Sequence, residues 1–94
     1  MQRPAAVPTL HIDNEHTRVT RWTFAPGAET GWHVHGMNYV VVPLTSGKLL
    51  LETRSGTTEG QLTAGVPYAR DLGAEHNVVN PGDAEVVFIE IEMK

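Results

Sequence analysis

An all-β domain is the fold class expected of this 94-residue chain. Short runs rich in β-branched and aromatic residues recur along it, each bounded by Gly, Pro, Asn or Asp, and no stretch repeats its apolar residues at the helical period. Strands are expected near Leu10 to Ile12, Arg18 to Phe24, Thr30 to His35, Tyr39 to Leu44, Lys48 to Thr53, Thr57 to Thr63, Val66 to Arg70, His76 to Val79 and Glu85 to Glu92. The connections carry turn chemistry at Asp13-Asn14, Pro26-Gly27, Ser46-Gly47, Ser55-Gly56 and Asn80-Pro81-Gly82-Asp83, where Gly supplies positive φ and Pro presets the turn. So many short antiparallel strands in one small chain favour a barrel or a double-sheet jelly roll, which protects the edges a single open sheet would expose. Met1 to Pro8, with Pro4 and Pro8, reads as an N-terminal arm on a single domain spanning residues 1–94. No linker, repeat or low-complexity tract interrupts it.

Composition narrows the function. With 40% hydrophobic and 19% charged residues the chain can fill a modest core and is too weakly charged to stay disordered. The net charge of -4, with Lys48 and Lys94 as the lysines, leaves no basic stripe for a phosphate backbone, so nucleic acid is not an expected partner. Without cysteine there is neither a disulfide framework nor a thiolate metal site. The absence of an apolar N-terminal run argues against a signal peptide and a membrane span, and a cytoplasmic protein is expected.

The chemistry concentrates in GAETGWHVHGMNYVVVPLTSG, residues 27–47, and in GVPYARDLGAEHNVVN, residues 65–80. On an extended strand His33 and His35 point to the same face, about 7 Å apart along the backbone. Two imidazoles on one face make half a metal site, and His76 is placed to close it from a neighbouring strand, neutral imidazole being a common ligand for divalent transition metals. By the same alternation Trp32 faces away from the site and reads as a packing or dimer-interface residue. His11 and His16 flank the Asp-Asn turn, without spacing to the trio, and are expected in solvent.

Gly27, His33, His35, Val40 and Gly47, separated by five, one, four and six residues, resemble the first cupin motif at every spacing, with only its acidic position replaced. Gly65, Asp71, Gly73, His76 and Asn80 resemble the second, with only its proline replaced. The resemblance implies a small single-domain cupin: a jelly-roll β-barrel (double-stranded β-helix) with a metal in its mouth, commonly a homodimer. In the RVTRWTFAPGAETGWH and YVVVPLTSG stretches the wording is similar to that of small cupins described as β-alanine degradation proteins.

The departure matters as much as the match. Most metal-binding cupins carry a glutamate where this chain has Val40, or Tyr39 if the gap is counted one shorter. Valine cannot ligate, and tyrosine does so only as phenolate, from a reference pKa of about 10. Three protein ligands follow, His33, His35 and His76, leaving one open position on a tetrahedral ion and three on an octahedral one. The similarity to three-histidine cupins, thiol and diketone dioxygenases among them, implies Fe(II) as one choice, and the ligands leave Zn, Ni, Mn and Cu open. Tyr39 is the candidate catalytic residue, its phenol either bonding to what the metal holds or packing against a carbonyl. Tyr68 and Arg70 share a strand face before the second motif and are the candidate substrate contacts, Arg70 offering a planar fork to a carboxylate. The resulting expectation is a metal-dependent enzyme, dioxygenase-like or Lewis-acid, on a small carboxylate or amino acid-like metabolite. The alternative is a non-catalytic barrel that binds a small molecule with or without metal.

Overall fold

A computed structural model describes residues 3–94; Met1 and Gln2, at the outer end of the expected arm, lie outside the described residues. The described chain forms nine strands and no helix: β1 (Val7–Asp13), β2 (Thr17–Phe24), β3 (His33–Val34), β4 (Asn38–Pro43), β5 (Gly47–Thr53), β6 (Gly56–Leu62), β7 (Tyr68–Arg70), β8 (Glu75–Val79) and β9 (Val86–Met93). They make a five-stranded sheet in the order β1-β2-β9-β4-β7 and a four-stranded sheet in the order β3-β8-β5-β6, each strand antiparallel to its neighbours. Long crossings between distant segments, such as β2 onto β9, give the jelly-roll connectivity. No described helix is long and apolar enough to cross a membrane.

Three elements differ from their sequence bounds for local reasons. The third strand is two residues long rather than six, because Gly31 turns the backbone to φ +87° just before it. Val66 and Pro67 belong to the turn before β7, where the Val66 amide bonds the Thr63 carbonyl at 3.0 Å. β1 begins at Val7, so Val7 and Pro8 pair with Thr23 and Trp22. Pro8 is tolerated there because β1 is a sheet edge.

The core lies between the sheets, and alternation decides what enters it. In β4, Tyr39, Val41 and Pro43 are buried while Val40 and Val42 are only partly covered. In β9 the buried face begins with Val86 and Phe88, Phe88 packing on Phe24 at a centroid distance of 5.5 Å, and continues with Glu90 and Glu92. Along that strand the inward face thus changes from apolar to acidic, and a cavity lined by Phe88, Glu90 and Glu92 opens where it changes.

The motif residue Asn80 is structural. Only 1% exposed, it donates its amide to the carbonyls of Phe24, Ala25 and Ala84 at 3.2, 3.3 and 2.8 Å and accepts the Gly82 amide at 3.1 Å. These bonds fasten the β8–β9 turn to the end of β2, and a buried backbone carbonyl left without such a donor costs about 1–3 kcal/mol.

Candidate metal centre

The centre is built by strand register. β3 pairs with β8 so that His33 stands directly opposite His76. His35 follows just beyond β3, yet its backbone remains paired: its amide bonds the Ala74 carbonyl at 2.8 Å, and its carbonyl accepts the Gly73 amide at 2.7 Å. Gly73 makes that return at φ +93°, a conformation L side chains rarely adopt. Extended alternation is therefore kept through residue 35, and all three imidazoles meet. Nε2 of His35 lies 3.0 Å from Nε2 of His33 and 3.2 Å from that of His76, the rings standing nearly edge-on to one another.

This set fits a metal ion. Imidazole nitrogens about 2.1 Å from one ion stand roughly 3.0 Å apart at octahedral right angles and roughly 3.4 Å apart at the tetrahedral angle. Protons alone do not satisfy the cluster. Nδ1 of His33 donates to the Gly31 carbonyl at 2.9 Å, the tautomer of a neutral ring that turns an Nε2 lone pair toward the other two histidines. A single proton on His35 Nε2 then serves one of its two close nitrogen neighbours well, and the other contact stays repulsive. Burial, together with the neighbouring imidazoles, lowers His35 to about 4 and His76 to about 4, so both are neutral ligands at neutral pH.

Behind the triad a hydrogen-bond chain holds His33 in its tautomer. Asn77 accepts the Gly31 amide at 2.9 Å, fixing the carbonyl that receives the His33 proton. The Asn77 amide in turn donates to Glu29 at 2.7 Å and Glu52 at 2.8 Å, and Arg3 bridges both carboxylates at 3.2 and 3.1 Å. Asn77 is 7% exposed. Sequence reading passed it over, although its position beside His76 on a strand places it on the opposite face, toward the supporting network.

A cavity of about 340 Å³ adjoins the triad. Tyr39, Tyr68 and Arg70 all line it, and Val40 does not. Tyr39 is the residue on the triad side of β4, with its ring stacked on His35 at 4.0 Å between centroids and 17° between planes. Burial pushes its phenol up to about 12, so it stays protonated, a neutral hydrogen-bonding group. The Arg70 guanidinium lies 4.6 Å over the Tyr68 ring and donates to the Ala69 carbonyl at 2.8 Å. Burial raises the Tyr68 phenol, with Arg70 opposing. Trp32 faces outward as expected, half exposed, its indole donating to Glu75 at 2.9 Å beneath Arg54. His11 and His16 are exposed.

Sequence reading also missed the acids of the cavity. Glu90 and Glu92 line it, and their oxygens lie within 4.8 Å of each other and of a ring nitrogen of His35. Burial pushes Glu90 up to about 7, the adjacent Glu92 adds to the rise, and the Trp22 indole opposes it without reaching hydrogen-bonding geometry. The available signal was Glu90 and Glu92 falling in step with Val86 and Phe88 on one strand face.

A two-sheet jelly roll with a histidine triad at its cavity defines a cupin, and this chain belongs to the cupin family. The β-alanine degradation protein BauB of Pseudomonas aeruginosa is 59% identical over 92 residues, covering 98% of this chain and 97% of that protein. The crystal structure of a cupin domain from Bordetella pertussis is 62% identical with a TM-score of 0.98, covering 100% of this chain and 98% of that one. A double-stranded β-helix protein from Klebsiella pneumoniae shares the fold at a TM-score of 0.76 and 21% identity, over 95% of this chain and 76% of its own. No protein-family model matches the chain.

Two outcomes follow. Glu90 has a folded value of about 7 against an ordinary 4.5, so the folded state holds its proton where the unfolded chain has lost it. Its stabilising contribution is full below pH 4.5 and disappears as pH rises through 7. In metal-free protein, Glu90→Gln is expected to stabilise the fold by on the order of 2 kcal/mol at about pH 8 and to change it little at about pH 4.5, read by urea unfolding with chelator present; equal effects at both values contradict the assignment. Asn77→Ala is expected to weaken metal affinity about 10- to 100-fold in a competition titration with a chelating dye, and unchanged affinity rules out the positioning role.

Proposed function

We propose that this cupin is a metal-dependent enzyme whose three-histidine centre, His33, His35 and His76, acts on a small carboxylate or amino acid-like metabolite. The observation that carries the reading is the convergence of three Nε2 atoms, at 3.0 and 3.2 Å, beside a cavity large enough for a small molecule. Fe, Zn, Ni, Mn and Cu all accept such nitrogen donors. A bound ion supplies Lewis-acid polarisation of an oxygen atom or, for a redox metal, activation of dioxygen.

The chain's own residues bind and orient the metabolite. Arg70, at the rim of the cavity, offers a carboxylate two parallel donors, and the aromatic face of Tyr68 holds the guanidinium in place. Tyr39, protonated and packed on His35, donates a hydrogen bond to the ligand beside the triad. The name of BauB, a β-alanine degradation protein, supports a small amino acid-related metabolite. A cytoplasmic setting suits that role.

We further propose a homodimer. All seven residues of β1 are exposed, with Val7, Leu10 and Ile12 at 57, 58 and 48%, and among the described residues this strand is a sheet edge of the kind that a second copy covers.

Untagged protein purified without chelator, or reconstituted with Fe(II) without air, is expected to carry close to one metal ion per chain by mass spectrometry. His76→Ala should lose it. Wild-type protein that stays empty after reconstitution sinks the metalloenzyme, and stoichiometric metal without turnover of any carboxylate tested favours a binding module. Light scattering on a sizing column is expected to give twice the 10.3 kDa chain mass, and a monomer across micromolar concentrations overturns the dimer.

A further inference from the structure

We infer that Glu90 on β9 recognises an ammonium group, so that the metabolite of this cavity carries a protonated amine a short carbon chain away from the group held at the triad. The inference deepens the function proposed above and rests on it. β9 turns Val86, Phe88, Glu90 and Glu92 to one face, and pairing sets Glu90 between Thr20 and Val41, with Glu92 between Arg18 and Tyr39. On that face the apolar pair Val86 and Phe88 gives way to two part-buried carboxyls, and a carboxylate withdrawn from water is costly unless a cation meets it.

The two acids are supplied differently. Glu92 has Arg18 at 3.8 Å, whereas no basic side chain among the described residues offsets Glu90. Its nearby donor, the Trp22 indole N–H, is buried and makes no hydrogen bond. The cavity wall therefore presents an acceptor whose counter-charge the chain does not provide.

Position then selects the ligand. The Glu90 and Glu92 oxygens lie within 4.8 Å of each other and of a His35 ring nitrogen, bordering the tighter histidine set, in which Nε2 of His35 is 3.0 and 3.2 Å from those of His33 and His76. Glu90 stands beside the metal-binding position, within reach of a molecule held there. A primary ammonium has three N–H donors to share between the paired carboxylates. The rings of Trp22, Tyr39 and Tyr68 around the cavity suit a cation better than an anion. Arg70, across β4 from Glu92, offers the opposite charge at the rim, so the cavity is polarised for a molecule bearing both signs.

The test is calorimetric titration of 3-aminopropanoate and, separately, propanoate into metal-loaded wild-type protein and Glu90→Gln, with metal content measured on both. The wild type is expected to bind the amino acid at least about tenfold more tightly than propanoate. Glu90→Gln is expected to lose about tenfold or more for the amino acid, with propanoate affinity and metal content unchanged. Loaded wild-type protein that shows no preference for the amine overturns the inference, as does a preference that survives in Glu90→Gln. Loss of metal from Glu90→Gln also overturns it, making the carboxylate a metal ligand instead. Wild-type protein that takes up no metal is a separate failure, of the metal-dependent function on which the inference stands.

Discussion

Everything at the centre depends on the pairing of β3 with β8. That ladder is only two residues long, yet it sets His33 opposite His76, and the backbone bonds from His35 to Ala74 and Gly73 extend its geometry by one residue. A slip of one position would turn every side chain on the moving strand to the other face. Such a short strand does not hold its register unaided. The Thr30 amide bonds the Val78 carbonyl at 2.9 Å, and Asn77 grips Gly31, so the segment before β3 is tied to the same strand that carries His76.

Electrostatically the site has two sides. On the outer side of β8, Arg3, Glu29, Glu52 and Asn77 form a closed network in which each acid meets a donor, and the Arg3 contact lowers the Glu52 carboxyl. Charge here is compensated, and the network serves orientation of the His33 ring. On the cavity side His35 and His76 are held neutral by burial and the neighbouring imidazoles, and burial pushes Glu90 toward its protonated form. The contrast between a satisfied support and an unsatisfied cavity is what a binding centre needs, since rigidity behind the ligands keeps open positions open.

The triad was legible because its chemistry is local. His33 and His35 share a face in any extended strand, and glycines such as Gly73, which supply the positive φ for the return of the chain, stand out by type. Tyr39, Tyr68 and Arg70 were legible as cavity residues for a similar reason, each being tied to a motif frame. The choice between Tyr39 and Val40 was not, because a motif counted with either gap fits the sequence, and only the β4–β9 pairing says which side chain faces His35. Asn77 and Glu90 stayed hidden. Asn77 gains its role from partners 46 and 48 residues away, at Gly31 and Glu29, and an acid on an amphipathic strand ordinarily faces water.

By itself the sequence determined an all-β chain, the strands and turns that make it, and three histidines able to meet on one metal. These follow from alternation, turn chemistry and residue type, which act over a few neighbouring positions. Tertiary structure alone decided which acids enter the cavity, which asparagine supports the ligands and which aromatic ring packs on them. Those outcomes depend on how strands distant in sequence are brought together and in what register, and no local preference encodes that pairing.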